Sequence, residues 1–354
     1  MPTRDAILGC LLGTALGDSV GLWCEGLSPR RQRRFHDGPL RQRFLLGKGM
    51  CSDDTEHALM VAQALLVSVG DPAKFSRSLA WRLRGWLLGA PAGIGFATLR
   101  ACVKLWLGFP PSRSGVFSAG NGPAMRSGIL GVCFGDDPPL LLELVRRSTR
   151  ITHTDPKAEH GALAVACAAR LAATCENAAE LPERLVAMLR AMIPATEHEF
   201  FDLLTRTLAS VRAGESTETF AHGLGLTRGV TGYICHTLPI VLHAWLAQPR
   251  DFRAAITAVV KLGGDTDTTA AILGSIVGAG VGPAGLPDDW RRDLWEWPCG
   301  TAWIETVADR LAQMRATGAP QPTVAVNWPG LAVRNVFFAA TVLTIGLRRL
   351  LPPY

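Results

Sequence analysis

Apolar and polar residues alternate along most of the chain with the helical period of about 3.6 residues. The pattern predicts helices that end at Gly, Pro or Asn signals, at residues 158–174, 181–193, 200–212, 239–247, 252–262 and 302–315. No comparable set of alternating strands or hairpin turns competes with them. The sequence therefore predicts an all-α fold.

The apolar run at residues 270–280 is rich in Ala and Gly. Small side chains let helix backbones approach closely, which suits a bundle whose loops converge at one end. A chain of 354 residues can bury a large core. We expect a single compact multi-helix domain over residues 1–320 and a C-terminal extension over residues 321–354.

The extension contains a largely apolar stretch at residues 336–347, between Arg334 and the pair Arg348-Arg349. This stretch is too short for a transmembrane helix, which needs about 20 residues. We expect a short helix packed on the main domain. A dimer contact and a membrane-surface helix with snorkelling arginines are the alternatives.

Basic residues dominate parts of the chain, and the formal net charge is +6. Residues 72–135 contain no Asp or Glu, and a second basic run lies at residues 30–48. Such surfaces favour anionic partners: a pyrophosphate ligand, nucleic acid or an anionic membrane. A solvated basic face explains the same pattern equally well.

The nine cysteines are scattered singly, with no C-x-x-C spacing. An odd number without pairing argues for reduced thiols and against a disulfide framework or a zinc site. The N-terminus shows no signal peptide. A cytoplasmic location is therefore expected.

Two hydroxyl-flanked acidic clusters are the chemical signal of the chain: residues 52–55 (Ser-Asp-Asp-Thr) and 265–268 (Asp-Thr-Asp-Thr). Their carboxylates and hydroxyls are hard oxygen ligands, suited to Mg²⁺ or Mn²⁺ and poorly suited to zinc. Helix capping explains the first cluster alone, with Asp53 and Glu56 as a variant capping box. Capping explains the second poorly, because one helix end needs one capping side chain.

The chain resembles the ADP-ribosylglycohydrolases in five motifs that occur in the same order. These are residues 9–21 with Glu25, residues 52–55, residues 120–122 with Met125 and Arg126, Thr152 with His153, and residues 263–268. The resemblance implies a compact all-α fold with a dimetal cleft. It also implies a hydrolase that cleaves the glycosidic bond between ADP-ribose and an acceptor, on a protein or another conjugate.

The acidic clusters and the resemblance together assign two divalent cations, Mg²⁺ or Mn²⁺, to Ser52, Asp53, Asp54, Asp265, Asp267 and Thr268. Asp53 and Asp54 are also candidates for orienting water, and the resemblance adds Glu25 as a catalytic or gating residue. By the same resemblance the diphosphate and distal ribose lie against Ser118, Gly120, Asn121, Gly122 and His153. Tyr233, one of only two tyrosines, is a candidate for stacking on adenine, with core packing as the alternative.

One position departs from the arginine-directed branch of the resembled family. Members of that branch commonly have an acidic residue before an Ile-Gly pair, where this chain has Gly93. A substrate guanidinium would lack its charge partner there. Serine-linked, nucleic-acid-linked and small ester acceptors therefore remain open. The oligomeric state is not indicated, and a non-catalytic ADP-ribose-binding or structural protein on the same fold is the alternative to the enzyme.

Overall fold

The computed structural model describes residues 2–35 and 38–351, with Phe35 described by its backbone alone. The first helices along the chain are α1 (Arg4–Leu22), α2 (Pro29–Phe35), α3 (Asp53–Ser68), α4 (Pro72–Leu88), α5 (Phe96–Trp106), α6 (Gly128–Phe134), α7 (Pro138–Arg150) and α8 (Pro156–Thr174). The remaining helices are α9 (Leu181–Met192), α10 (His198–Arg212), α11 (Thr217–Gly223), α12 (Ile234–Ala247), α13 (Phe252–Val260), α14 (Thr266–Val281), α15 (Asp288–Arg292), α16 (Thr301–Thr317) and α17 (Trp328–Arg349). Pairing between extended segments in the described residues is limited to isolated bridges.

The predicted all-α, single compact multi-helix domain is confirmed. The six predicted helices correspond to α8, α9, α10, α12, α13 and α16. Their bounds agree closely except for α12, which begins at Ile234 and contains Pro239 within it. The prediction started this helix at the proline, because proline is most often found in the first helical turn.

Two helices, α1 and α14, cross at the centre of the molecule along a face of glycines. A Cβ added to Gly9, Gly13 or Gly17 would overlap a backbone carbonyl oxygen of α14. The Gly274 and Gly278 positions of α14 are closed in the same way by carbonyls of α1. The backbones therefore touch directly, and only glycine fits at these positions.

This central packing places the start of α14 against the end of α1. The Thr266 hydroxyl at the start of α14 donates a hydrogen bond to the Gly21 carbonyl at 2.8 Å. One turn earlier in α1, Asp18 accepts hydrogen bonds from the start of α3. The N-termini of α3 and α14, which carry the two acidic clusters, thus meet at one end of α1.

The predicted short C-terminal helix is wrong in its length. Asn327 caps α17 by accepting a hydrogen bond from the Gly330 amide at 3.1 Å, and Pro329 occupies the first turn, so the helix starts well before the apolar stretch. Within the described residues, α1 and α17 are long and apolar enough to cross a membrane by length and composition. The apolar segment of α1 is 94% buried in the core and that of α17 is 22% buried, so this test is weak evidence for a membrane span.

Candidate active site

Ser52 is the N-cap of α3, the helix that begins with the first acidic cluster. Its hydroxyl accepts a hydrogen bond from the Asp54 amide at 3.3 Å and donates one to Asp54 Oδ2 at 3.0 Å. The predicted capping box of Asp53 and Glu56 is wrong, because Glu56 instead accepts a hydrogen bond from Trp86 Nε1 at 2.6 Å. Ser52 therefore caps the helix, so Asp53 is not needed as its cap.

Asp18 is a buried carboxylate that holds this helix start in place. It is fully buried in α1 and accepts hydrogen bonds from the Ser52 amide at 2.9 and 3.0 Å, the Thr55 amide at 3.2 Å and the Thr55 hydroxyl. Burial raises its pKa to about 7 against the opposing effect of these hydrogen bonds. Sequence reasoning gave Asp18 no role in the site. An acidic residue inside an apolar, glycine-rich helix was the available signal, since such residues are buried only when partnered.

Asp265 occupies the N-cap position of α14 without making a side-chain capping bond. Its Oδ2 instead accepts a hydrogen bond from Asn121 Nδ2 at 2.7 Å. The same Asn121 nitrogen donates to the Thr237 hydroxyl at 3.0 Å, which fixes the orientation of the amide. The second cluster is therefore not used to cap its helix, as its sequence indicated.

The two clusters meet at Asp54. The Thr268 hydroxyl of α14 donates a hydrogen bond to Asp54 Oδ2 at 3.2 Å, across the boundary between α14 and α3. Asp54 and Asp267 are buried, and Asp53, Asp265 and Thr268 are partly accessible. Residues that are more than half the sequence apart thus line one cleft with oxygen side chains.

The carboxylates in this cleft repel one another. Burial is the largest cause that raises the pKa of Asp53, Asp54 and Asp267 well above the usual range, and neighbouring carboxylates add to it in each case. None of these three carboxylates forms an ion pair with a basic side chain among the described residues. The anionic form of the cleft therefore needs a positive charge from outside the protein.

Two buried oxygens in the cleft have no hydrogen-bond partner, Asp54 Oδ1 and Asp267 Oδ1. Within the described part of the chain, no three Asp, Glu, His or Cys side chains converge as ligands of one ion, so a cation here would also need other oxygens, such as hydroxyls. Ser52 and Thr268 provide such oxygens at hydrogen-bond distance from Asp54. A mixed carboxylate and hydroxyl set with unpartnered, mutually repelling anions fits a hard divalent cation.

The loop at residues 118–122 lies beside this cleft and packs on His153. A Cβ added to Gly120 would lie 2.9 Å from His153 Nε2, and one added to Gly122 would lie 3.2 Å from His153 Cε1. The Asn121 amide already donates to the Gly232 carbonyl at 2.9 Å. This amide is therefore not free to contact a pyrophosphate.

Tyr233 lies next to the same loop. Gly120 and Tyr233 form an isolated antiparallel bridge, and the Tyr233 hydroxyl accepts a hydrogen bond from Lys157 Nζ at 3.0 Å. Its ring packs edge-on against His236, with ring centroids 5.1 Å apart. Tyr233 is only half-buried, so its ring is not a core side chain.

Arg126 holds the loop and the residue before His153 in place through hydrogen bonds. Sequence reasoning did not assign it this role. It is fully buried and donates to the Thr152 hydroxyl at 2.7 Å, to the Ser148 carbonyl at 2.9 Å and to the Gly122 carbonyl at 3.4 Å. His153 Nδ1 is 2.9 Å from the Thr152 hydroxyl oxygen. A buried guanidinium requires this many acceptors, and the only sign in the sequence was the place of Arg126 in the motif with residues 120–122.

Glu25 lies at the rim of the cleft, on the loop that follows α1. The next amide, of Gly26, donates to the Gly264 carbonyl at 2.8 Å, which ties this loop to the second acidic cluster. The Glu25 side chain reaches solvent. Its pKa is raised, first by partial desolvation in the surrounding protein and then by the nearby Asp265 carboxylate. Its main-chain carbonyl accepts a hydrogen bond from Arg349 of α17 at 2.6 Å.

Gly93, the position that departs from the arginine-directed pattern, lies in the exposed loop between α4 and α5. Its φ of +85° favours glycine, and a Cβ added there would meet nothing within 4 Å. Among the described residues, the structure thus adds no charge partner for a guanidinium at this position.

An all-helical domain with an acidic, oxygen-lined cleft between two helix N-termini is the class of protein that this fold and site define. The chain belongs to the ADP-ribosylglycohydrolase family, whose sequence model matches residues 1–321. The prediction of a hydrolase of the ADP-ribosyl glycohydrolase class is confirmed at the level of this family.

Individual relatives agree with the assignment. The chain is 29% identical over 332 residues to the ADP-ribosylarginine hydrolase Tri1 of Pseudomonas putida, with 90% of this chain and 79% of that protein covered. It is 26% identical over 298 residues to the ADP-ribosyl-[dinitrogen reductase] glycohydrolase of Rhodospirillum rubrum, with 82% and 90% covered. A solved ADP-ribosylglycohydrolase-related protein complex matches with a TM-score of 0.65 at 28% identity, covering 88% of this chain and 98% of that one.

Proposed function

We propose that the protein is a hydrolase that depends on two divalent cations, Mg²⁺ or Mn²⁺, and releases ADP-ribose from an ADP-ribosyl conjugate. The observation that carries the proposal is the hydrogen bond from Thr268 to Asp54, which joins the two acidic clusters into one cleft. The ions would be held by Ser52, Asp53, Asp54, Asp265, Asp267 and Thr268. When bound, they would supply positive charge and Lewis acidity beside the ribose hydroxyls and the attacking water.

The protein itself contributes orientation. Asp18 fixes the start of α3 so that Asp53 and Asp54 face the cleft, and Asn121 fixes the carboxylate of Asp265. Cleavage at an anomeric carbon passes through an oxocarbenium-like state, which needs water on one face and help for the leaving group on the other. Glu25, at the rim and with a raised pKa, is the side chain that we place there to transfer a proton.

The ADP part of the substrate would lie along the loop at residues 118–122, against His153 and the ring of Tyr233. Burial lowers the pKa of His153 to about 3, so its ring is neutral and can hydrogen-bond without adding charge. Ser118 is half-buried at the edge of this surface. Adenine stacking on Tyr233 is consistent with its partly accessible ring, which Lys157 and His236 hold in place.

The acceptor is a protein side chain or another conjugate, and we favour one without a guanidinium. No acidic residue is found in the exposed loop around Gly93 or anywhere from residue 72 to residue 135. Nucleic-acid-linked ADP-ribose suits the basic surface of the same region. Nine unpaired cysteines in the structure support a cytoplasmic location.

Binding of the product tests the proposed site. In the presence of Mg²⁺, ADP-ribose at about 100 times its Kd should stabilise the native protein by about 2.7 kcal/mol. The variant Asn121→Ala, which frees the Asp265 carboxylate, should show a much smaller rise in melting temperature. Gln313→Ala, on an exposed position of α16, is the control and should respond as the wild type does. An unchanged melting temperature of the wild type at millimolar ADP-ribose would show that the ligand is wrong.

A further inference from the structure

A second cavity, of about 420 Å³, lies between α3, α4, α16 and the start of α17. Cys51, Thr55 and Glu56 border it, so it adjoins the acidic cleft, but none of the six candidate cation ligands lines it. Its volume is within the range of small-molecule sites, roughly 300 to 1,000 Å³. Part of its wall comes from α17, which lies beyond the segment that the family model matches.

Four tryptophans line this cavity: Trp81, Trp86, Trp303 and Trp328. The indole nitrogens of two of them are already used, because Trp86 donates to Glu56 at 2.6 Å and Trp303 donates to the Ala325 carbonyl at 2.9 Å. These rings therefore present mainly apolar surface to the cavity. Such walls suit a flat or flexible apolar ligand.

The acidic side chains of the cavity are neutralised within the protein. Arg334 donates to Glu296 at 2.8 and 2.9 Å and to Glu56 at 3.2 Å. Together with the bond from Trp86, these contacts satisfy both carboxylates. Neither one is left to bind a cationic ligand.

Arg82 is the charged group in the cavity wall that has no such partner. Its Nε atom is buried without a hydrogen-bond partner, and no hydrogen bond or ion pair of Arg82 is found among the described residues. Burial lowers its pKa, and no neighbouring carboxylate opposes this effect. A partly buried guanidinium with an unpartnered nitrogen is costly unless an anion or another acceptor meets it.

Gly85 keeps the cavity open. It lies inside α4, where glycine costs about 0.5 to 1 kcal/mol relative to alanine. A Cβ added there would meet only the Trp328 ring, at an ordinary contact distance of 3.6 Å. Unlike the glycines of α1, Gly85 is not required by a neighbouring backbone. The lack of a side chain at this position leaves empty space beside Arg82.

We infer that this cavity binds a small amphipathic carboxylate, with its apolar body between the tryptophans and its carboxylate on Arg82. This ligand class matches both the apolar walls and the single unpaired positive charge. The inference is independent of the proposed hydrolysis, since it uses none of the residues assigned to that reaction.

Decanoate is the test ligand, with decan-1-ol as its neutral counterpart. Titration into the wild-type protein should give a saturable change in tryptophan fluorescence and a higher melting temperature, with decanoate bound more tightly than the alcohol. Arg82→Met should lower the affinity for decanoate by about 10- to 100-fold, as expected for loss of a charged hydrogen bond, and leave the affinity for decan-1-ol nearly unchanged. Arg77→Met, at an exposed position of the same helix, is the matched control and should bind both ligands normally.

The variant Gly85→Leu places an apolar side chain in the cavity without touching any charge. It should fold, because leucine favours helix, and it should lose binding of both ligands. Decanoate binding that survives in Gly85→Leu would show that the ligand occupies another surface and would overturn the inference. Equal wild-type affinities for decanoate and decan-1-ol, or no saturable response at all, would overturn it as well.

Discussion

At the scale of single residues, buried carboxylates decide how this site works. Asp18 satisfies its charge with hydrogen bonds from the start of α3, whereas Asp54 and Asp267 each keep one buried oxygen without a partner. The first arrangement is that of a structural carboxylate, and the second leaves an oxygen for the proposed cations. The acidic clusters were identifiable from sequence because four carboxylates exceed what two helix caps need. The partners Asn121 for Asp265 and Thr268 for Asp54 were not, because they depend on contacts between distant segments.

The residue scale also gives a prediction about pH. Burial lowers the pKa of His153 to about 3, whereas an unfolded histidine titrates near 6.5. Between these values the unfolded chain binds more protons than the native protein, so the contribution of neutral His153 to stability is present above about pH 6.5 and is lost as pH falls. In EDTA, the free energy of urea unfolding of His153→Gln should fall less steeply between pH 6.5 and pH 4.5 than that of the wild type, by up to about 1.4 kcal/mol per pH unit. Equal slopes would mean that His153 takes up protons in the native protein as it does in the unfolded chain, and would contradict the lowered pKa.

At the scale of elements, the periodicity of the chain identified most of the helices but not how they meet. The Ala and Gly content of residues 270–280 indicated close helix packing, and α14 does pack directly on α1. The sequence could not show that the partner is α1, because backbone contacts leave no mark beyond the small residues on each helix. The start of α12 was placed too late, at Pro239, because a proline within a helix resembles a helix start.

The glycine face predicts a large difference between two similar substitutions. Gly13→Ala should destabilise the protein by at least about 2 kcal/mol or prevent folding, because its Cβ would overlap the Gly274 carbonyl. Gly346→Ala, also inside a helix but with nothing within 4 Å, should be neutral or stabilising by up to about 1 kcal/mol. Urea unfolding of both variants measures the difference. Similar stabilities for the two would show that α1 and α14 are not in backbone contact.

At the scale of the whole molecule, α17 connects the C-terminal extension to both sides of the acidic cleft. Near its start, Arg334 binds Glu56, Glu296 and the Cys51 carbonyl, directly behind the Ser52 cap. Near its end, Arg349 binds the carbonyls of Trp23 and Glu25 at the rim. The division of the chain at residue 320 was predicted because the tail lies outside the family resemblance, and it stays a prediction. The charged contacts of α17 with the main domain could not be foreseen, because they join residues that are far apart in the sequence.

Arg334 provides the test of this connection. It is 2% exposed, and its removal leaves two largely buried carboxylates without a counter-charge. We expect Arg334→Met to lower the free energy of unfolding by about 3 to 5 kcal/mol. Arg348→Met, at an exposed position of the same helix, should change it by less than about 0.5 kcal/mol. If the two variants unfold alike, α17 is not anchored through Arg334.

The central claim is that the two acidic clusters form one cation-dependent site for hydrolysis of ADP-ribosyl conjugates. The most direct measurement is ADP-ribose release from arginine-, serine- and nucleic-acid-linked substrates by the wild type and by Asp267→Asn, in Mg²⁺, in Mn²⁺ and in excess EDTA. We predict cleavage of at least one substrate by the wild type with a cation, and none in EDTA or by the variant. The variant should remain folded, since it removes a buried negative charge without changing the size of the side chain. Full activity in EDTA or in Asp267→Asn, or cleavage of no substrate under any condition, would contradict the account.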